Sequence, residues 1–509
     1  MSGSLWSWGL FLAYMVLVVV ITARTRRAAT STQAYAVGNR QVSPYAVGLS
    51  LAASMTSAAT FVINPGLMYL YGWSGVVGYA IAAPLGIFLG LVVFSKAFRR
   101  VGDRTNVLTV PQWVGDRFGD RRLTLYFSVL SLLQVTFLVL LVVGLAQVLR
   151  SALVIPTWAA LTLVIGFPFT YILLGGAGTH IRMNVMQATI MSVVAVIFLA
   201  SGARFLTDGI GPFFQRLAAV APHFASLTNP DSLLFRDLFE VVVANVVVGV
   251  AIIMQPHIIS KALYLRDERD VHRFLATAVV ASVLFFAVLA TGLFARLALP
   301  GPLLKPDTVI ATYMVQQFSP FLRAVVVLGV LAAGFSTMEG ILVALSSIFA
   351  QDFLANLLGG GRGDEAWKSR GLRWARVFLV VLAPVTALLS WEQMRAPSLS
   401  VAIFAQNGVY GLFAATFVPV LFGIFVKRVG RAWIFAASLT ALAVHFGMVY
   451  GHVTHYANNP AVPATLAIFA SLALALAAFA LSPKPAPAPA TIPEATTSPA
   501  DAVPARAGR

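Results

Sequence analysis

Long runs of apolar residues, separated by short polar segments, fill most of the sequence up to about residue 480. A helix needs about 20 residues to cross the hydrocarbon core of a bilayer. Runs long enough to span lie near residues 5–23, 44–71, 74–95, 124–148, 157–174, 184–203, 237–260, 274–299, 320–351, 374–391, 398–426, 432–450 and 462–482. The pattern therefore predicts an all-α polytopic membrane protein with about thirteen transmembrane helices.

The composition supports a membrane protein and excludes several kinds of chemistry. Of the 509 residues, 59% are hydrophobic and 10% are charged, whereas soluble domains carry about 25% charged residues. The mean hydropathy is +0.86. The chain has no cysteine, which excludes disulfide bonds, thiolate metal sites and cysteine nucleophiles.

The net charge of +17 is unevenly distributed along the chain. Most lysines and arginines fall in alternate loops, beginning with Arg24, Arg26 and Arg27 after the first run. Because basic loops stay on the cytoplasmic side, we expect a multi-pass protein of the cell membrane (inner or plasma), with its N-terminus outside and its C-terminus in the cytoplasm. The lipid bilayer then accounts for the positive charge, and we expect no nucleic-acid partner.

Two of the runs contain helix-breaking features, five helices apart. The second run has a small, polar centre at 50–58, followed by Pro65, and the seventh run has Pro256 in its interior. Ordinary kinks are one interpretation, since proline and glycine are common in membrane helices. Two breaks at corresponding positions favour another: transporters built from inverted repeats place their binding site where two discontinuous helices meet.

This pattern divides the chain into six parts. They are an N-terminal helix with a basic loop (1–43), a first inverted repeat (44–204), an external loop (205–236), a second inverted repeat (237–427), two C-terminal helices (428–482) and a tail (483–509). The tail is rich in proline and alanine and is expected to be disordered.

The ninth run carries small and hydroxylated residues on one side. At about 100° per residue, one stripe contains Ala333, Ser336, Thr337, Gly340, Ala344 and Ser347. Close helix packing accounts for Gly340 and Ala344, since small residues line membrane interfaces. It does not account for two adjacent hydroxyls. Hydroxyl and backbone oxygens suit a hard monovalent cation, and discontinuous transporter helices bind sodium in this way.

Four motifs in order resemble the sodium/solute symporter family, whose members carry proline, pantothenate, sugars and sialic acid. They are "YAVGNRQVSPYAVGLSLAASMTSAATFV" from residue 35, "GGAGTHIRMNVMQ" at 175–187, "QPHI" at 255–258 and "LAAGFSTMEGILVALSSIFAQDF" at 331–353. The resemblance covers roughly residues 35–430. It implies a five-plus-five inverted-repeat core of the LeuT type and sodium-driven uptake of a small organic solute.

The resemblance also implies a sodium site. In this family the main site uses backbone oxygens of the first and eighth core helices and two hydroxyls of the eighth. Carried over position by position, these fall on Ala53, Thr56, Ala333, Ser336 and Thr337. We therefore expect Na⁺ as the coupling ion.

Glu339 departs from the family pattern. Some relatives have a second sodium site that pairs eighth-helix hydroxyls, here including Ser336, with an aspartate at the position of Asn184. Three interpretations stay open for Glu339. It helps to bind a second cation, with Asn184 supplying a neutral oxygen; it takes up a proton; or it accepts hydrogen bonds from a neighbouring helix.

The candidate solute-binding residues are polar and lie near the two breaks. They are Ser54, Ser57, Gln255, Gln406 and Asn407. Proline-type members carry an aspartate where this chain has Met55, and sixth-helix aromatics where it has Val248 and Ile252, which argues against proline. No lysine or arginine is expected deep in a core span. A small carboxylate, such as a monocarboxylate or a pantothenate-like acid, suits the partly apolar cavity best.

Other functions remain as alternatives. A proton-coupled transporter would use Glu339, and a channel or substrate-sensing membrane protein could use the same scaffold. We expect no enzyme activity, because no nucleophile–base arrangement is evident. His452 and His455 lack a third metal ligand. A monomer is expected to suffice for function, and the sequence leaves the oligomeric state open.

Overall fold

The computed structural model describes residues 2–25, 43–105, 107, 109–265, 269–359, 365–395, 401–426, 429–456 and 458–482. Within these residues it confirms the all-helical fold. Eleven helices are long and apolar enough to span a membrane, and two bent helix pairs bring the number of candidate spans to thirteen. The glycine-arginine part of the first motif (38–40), the 360–364 segment and the 483–509 tail lie outside the described residues. The boundaries of the six parts stay a prediction.

The spans are numbered in chain order. They are α1 (Leu5–Arg24), α2a and α2b (Pro44–Met55 and Ala59–Tyr71), α3 (Trp73–Arg100), α4 (Arg121–Leu153), α5 (Thr157–Gly175), α6 (Thr179–Phe205), α7a and α7b (Phe239–Ile252 and Pro256–Leu263), α8 (Asp270–Ala298), α9 (Pro320–Leu357), α10 (Arg370–Arg395), α11 (Val401–Phe425), α12 (Arg431–Gly451) and α13 (Ala461–Leu481). Shorter helices connect them at Val110–Phe118, Ile210–Ala218 and Pro306–Gln317.

The two broken helices lie where the sequence predicts them. The halves of α2 meet at 53°, and those of α7 at 60°. Thr56 leaves the helix with φ −106° and ψ 93°, and Gln255 is extended with φ −59° and ψ 127°. Pro256 then begins α7b, a position where its missing N–H breaks no helical hydrogen bond. The breaks leave carbonyl groups of α2a and α7a without helical partners.

α9 lies at the centre of the bundle. About nine-tenths of its apolar window is buried (89%), whereas the windows of α1 and α10 are 28% buried. Its neighbours include α1, α2a, α4 and α6. A helix buried on all sides can present polar groups only to protein, so Ser336, Thr337 and Glu339 must find partners on adjacent helices.

Arginines cap helix C-termini at one end of the bundle. Arg99 donates to the Leu265 carbonyl after α7b at 2.5 Å, and Arg117 donates to the Gly423 carbonyl near the end of α11 at 2.5 Å. Arg376 donates to the Leu173 carbonyl near the end of α5 at 3.1 Å. The Leu265 and Gly423 carbonyls lie at or just beyond helix C-termini, where carbonyls lack helical partners and the helix carries partial negative charge. Part of the basic bias is therefore structural. That this end faces the cytoplasm stays a prediction.

Candidate functional site

Carbonyls freed at the α2 break meet the hydroxyls of α9. The Ser336 hydroxyl lies 2.8 Å from the carbonyl oxygen of Ala53 and 2.8 Å from that of Ala333. The Thr337 hydroxyl donates to the Ser54 carbonyl at 3.0 Å and lies 3.5 Å from that of Ala333. Every one of these residues is buried. Ala333, Ser336 and Thr337 reach the same part of α2a because they lie on one face of α9.

Thr56 belongs to the same break but faces its own helix. It is fully buried, and its hydroxyl donates to the Ala52 carbonyl at 2.6 Å. The structure thus brings Ala53, Ala333 and the two α9 hydroxyls together, with Thr56 three residues further along the broken backbone. The donor set consists of hydroxyl and carbonyl oxygens, which suits a hard monovalent cation.

Glu339 points away from these hydroxyls, towards α5 and α6. Its Oε1 accepts hydrogen bonds from the Tyr171 hydroxyl and from Gln187 Nε2, the latter at 2.6 Å. Its Oε2 lies 3.3 Å from His180 Nδ1. The Ser336 hydroxyl bonds to backbone carbonyls instead. The carboxylate is fully buried, with partners from two neighbouring helices.

Asn184 faces α2a rather than Glu339. Its Nδ2 donates to the Ser50 hydroxyl at 3.0 Å and to the Ser54 hydroxyl at 2.9 Å, and it lies 3.2 Å from the Ser50 carbonyl. Its Oδ1 is buried and has no hydrogen-bond partner among the described residues. Asn184 and Glu339 therefore share no hydrogen-bond partner. His180, four residues before Asn184 on α6, is the residue that contacts Glu339.

The expectation that no lysine or arginine lies deep in a core span is wrong. Lys261 is only 1% exposed. Its ammonium nitrogen lies 2.6 Å from the Ser50 hydroxyl, 2.8 Å from the Ser50 carbonyl and 2.8 Å from the Ser54 hydroxyl. His180 Nε2 is 3.3 Å away. The sequence assigns Lys261 to a loop, but the chain bends at 253–255 and resumes as α7b, which keeps the lysine inside the bundle.

Sequence reasoning missed His180, Gln187 and Lys261, although spacing signals exist. His180, Asn184 and Gln187 lie four and three residues apart, so they form one polar face on α6. His257 and Lys261, four residues apart, do the same on α7b. Polar faces on apolar helices mark a protein interior rather than a lipid surface.

A cavity of about 110 Å³, separate from the hydroxyl and carbonyl contacts of α9 and α2a, is lined by three of the five candidate solute residues. Ser57, Gln255 and Gln406 all line it, and Gln406 Nε2 lies 3.4 Å from the Tyr79 hydroxyl. Its apolar lining includes Met55, Val248 and Ile252, the positions where the sequence departs from proline-type relatives. The cavity lies beside both breaks.

Ser54 and Asn407 are not among the residues lining this cavity. The Ser54 hydroxyl is directed to Lys261 and Asn184, because the last turn of α2a presents it to α6 and α7b. Asn407 lies on the α12 side of α11, where its backbone carbonyl accepts a hydrogen bond of 2.8 Å from His445 Nε2. Adjacent residues on a helix face directions about 100° apart, so Gln406 reaches the cavity and Asn407 does not.

Comparison with known proteins agrees with this architecture. The sodium:solute symporter family profile matches residues 35–440. The chain is 26% identical to the sodium/pantothenate symporter of Escherichia coli (strain K12), over 89% of this chain and 92% of that protein. It is 25% identical to the sodium/pantothenate symporter of Haemophilus influenzae, over 74% and 77%. The structure of a Na⁺-coupled sialic acid symporter in a substrate-bound outward-open state superposes with a TM-score of 0.73, at 16% identity, over 92% of this chain and 98% of that one.

A helical bundle with two broken helices meeting at its centre defines a membrane transporter rather than an enzyme. The chain belongs to the sodium:solute symporter family.

Proposed function

We propose that this protein is a sodium-coupled symporter that imports a small organic acid, a monocarboxylate or a pantothenate-like molecule, by alternating access. The observation that carries the proposal is the meeting of Ser336 and Thr337 with the Ala53 and Ser54 carbonyls at the α2 break. Sodium would bind there through Ala53, Thr56, Ala333, Ser336 and Thr337. The proposed orientation has the N-terminus outside and the C-terminus in the cytoplasm.

Sodium and solute are coupled in this proposal through the break itself. Thr56 begins the non-helical segment, and Ser57 lines the solute cavity. An ion that binds the Ala53 and Thr56 carbonyls also restricts the backbone conformation of the next residue, Ser57. Binding of either species then lowers the ordering cost for the other.

An acidic solute is favoured by the curated relatives and by charge. Two of these relatives are sodium/pantothenate symporters, and pantothenate is a carboxylate. A separate cavity of about 710 Å³, bordered by the Pro306–Gln317 helix, contains Arg150, Lys305 and Asp307. Two cations against one carboxylate give this cavity a net positive charge, which attracts anions. The smaller cavity is mostly apolar apart from Ser57, Gln255, Gln406 and a few other polar side chains, which suits a small acid with an aliphatic body.

Two linked experiments test the proposal. Purified protein is melted in sodium or potassium chloride, with and without pantothenate and a panel of short monocarboxylates, amino acids and sugars. Sodium and one carboxylate should each raise the melting temperature, since a ligand that binds only the folded state stabilises it. Uptake of that carboxylate into proteoliposomes should then require an inward sodium gradient.

A matched pair of variants isolates the ion site. Ser336→Ala with Thr337→Ala should abolish sodium stabilisation and sodium-driven uptake. Thr386→Ala on α10 removes a hydroxyl that bonds within its own helix, to the Leu382 carbonyl at 2.9 Å, and should retain both. Sodium-dependent uptake in the double variant would refute the site. Uptake driven equally by a pH gradient in potassium buffer would instead favour proton coupling.

A further inference from the structure

Lys261 lies in an oxygen-lined site of the kind that holds a cation. Three oxygen atoms, from Ser50 and Ser54, lie 2.6–2.8 Å from its nitrogen. An ammonium group has three hydrogens to donate, and with His180 Nε2 at 3.3 Å four acceptors surround it, so two of them share one hydrogen. The Asn184 side chain contacts the same two serines.

The charge that balances Lys261 is Glu339, reached through His180. With His180 neutral, its Nδ1–H donates to Glu339 Oε2 at 3.3 Å, and its Nε2 accepts from Lys261 at 3.3 Å. All three side chains are at most 1% exposed. A buried charge is tolerated when it is paired and hydrogen-bonded. The line from Lys261 through His180 to Glu339 is therefore neutral overall.

This line runs directly beside the proposed sodium site. The Ser54 hydroxyl accepts a hydrogen bond from Lys261, and the Ser54 carbonyl accepts one from Thr337. We infer that Lys261 is a built-in cation that takes the place of a second sodium ion, with Glu339 as its counter-charge, so that this transporter binds a single sodium ion. The inference rests on the proposed sodium coupling and assigns Glu339 a role different from ligating an ion.

Lys261 also ties the two broken helices together. It extends from α7b to the last turns of α2a, while His180 and Asn184 approach from α6. A free sodium ion at this place would leave during each transport cycle. A tethered ammonium group cannot leave, so it supplies the positive charge without entering the stoichiometry.

The test is the number of sodium ions bound by purified protein, measured by equilibrium binding of radioactive sodium. The wild-type protein should bind a single ion. Lys261→Ser removes the tethered charge, leaves a small hydroxyl and keeps Glu339, so a second sodium ion should bind. Lys261→Ser with Glu339→Gln removes both charges, and the second ion should be lost again. Lys261→Arg keeps a tethered cation and should bind as the wild type does.

The outcomes separate this inference from the sodium proposal. A wild-type protein that binds two ions overturns the inference without any variant, even if Lys261→Ser fails to fold. Lys261→Ser that is monodisperse, still stabilised by sodium and still limited to one ion also overturns it. A wild-type protein that binds no sodium, while a solute still stabilises it, refutes the proposed function instead.

Discussion

The Thr337 hydroxyl donates a 3.0 Å hydrogen bond to the backbone carbonyl of Ser54. The hydroxyl of the same serine accepts a hydrogen bond of 2.8 Å from Lys261 Nζ and lies 3.5 Å from the backbone carbonyl oxygen of Ser336. Ser54 therefore separates two cation environments, the proposed sodium site and the buried ammonium group. Backbone and side chain have different partners, so substitutions at Ser54 can affect Lys261 without removing the carbonyl.

Ser54→Ala should destabilise the protein and leave sodium binding in place. The substitution removes one acceptor of a buried ammonium group and one of Asn184, and an unsatisfied buried polar group costs about 1–3 kcal/mol. The carbonyl that faces Thr337 is unchanged. Thermal melting should show a lower melting temperature with the sodium-induced increase retained. Thr386→Ala, which removes a hydroxyl bonded within its own helix, is the control. Loss of the sodium response in Ser54→Ala alone would mean that its side chain, too, belongs to the ion site.

Glu339→Gln should be strongly destabilising, because it leaves Lys261 without its counter-charge. Removing one partner of a directly contacting buried ion pair costs about 3–5 kcal/mol, which is an upper bound here because His180 lies between the two charges. Adding Lys261→Met should restore much of that loss, since no unpaired charge remains. Thermal melting of both single variants and the double variant gives the coupling. Glu392→Gln on α10, where the glutamate is exposed, should change little. Strictly additive effects at positions 261 and 339 would show that the two residues do not interact.

The same Glu339→Gln variant separates the earlier interpretations of this carboxylate. A ligand of a second sodium ion would lower the Hill coefficient for sodium when neutralised. A proton carrier would lose its pH dependence of uptake. A structural hydrogen-bond acceptor, the third interpretation, predicts neither change, only weaker folding, and a counter-charge to Lys261 predicts the same. Uptake measured over a range of sodium concentrations and pH values distinguishes the three.

The sequence was sufficient for the parts of the molecule that depend on patterns along the chain. Apolar run length located the spans, and Pro256 and the small residues at 50–58 located the breaks. Ser336 and Thr337 meet the α2 break because helical spacing puts them on one face. Their partners on α2a, some 280 residues earlier in the chain, came from the family resemblance rather than from spacing.

The sequence failed where the outcome depends on the angle between helices. Lys261 follows an apolar run and resembles the start of a basic loop. Only the 60° bend of α7 decides that its side chain enters the bundle. Asn407 shows the same limit, since the rotation of α11 places Gln406 rather than its neighbour on the cavity. A single sequence contains no measure of either angle.

Gln406→Ala should weaken solute binding and spare sodium binding. Gln406 lines the cavity, and losing one hydrogen bond to a charged group costs about 1.5–3 kcal/mol, roughly a tenfold to hundredfold loss of affinity. Asn407→Ala, one residue along, should leave solute affinity near that of the wild type. Titration of the stabilising carboxylate at saturating sodium gives both affinities. Equal loss in the two variants would place the solute elsewhere.

Gly66→Ala should prevent correct folding, in contrast to Gly166→Ala. A Cβ atom at Gly66 would lie 2.0 Å from the backbone carbonyl oxygen of Pro306, whereas one at Gly166 meets nothing within 4 Å. Backbone cannot move aside as a side chain can, so α2b would have to separate from the Pro306–Gln317 helix. Yield and monodispersity on size exclusion should fall for Gly66→Ala only. A well-folded Gly66→Ala protein would mean that this helix docks less closely than the structure indicates.

Transport of a monovalent carboxylate should be insensitive to membrane potential. If a single sodium ion accompanies one negative solute, and the Lys261–Glu339 pair stays neutral, no net charge crosses the membrane. Each uncompensated charge would contribute about 2.3 kcal/mol per 100 mV, which is roughly a 40-fold change in accumulation. Uptake into proteoliposomes with an imposed potassium diffusion potential, at a fixed sodium gradient, measures this directly. In the Lys261→Ser variant, where a second sodium ion is expected, accumulation should become potential-driven. Potential-driven accumulation of the acid by the wild-type protein would require more than one sodium ion per cycle and would contradict the built-in cation.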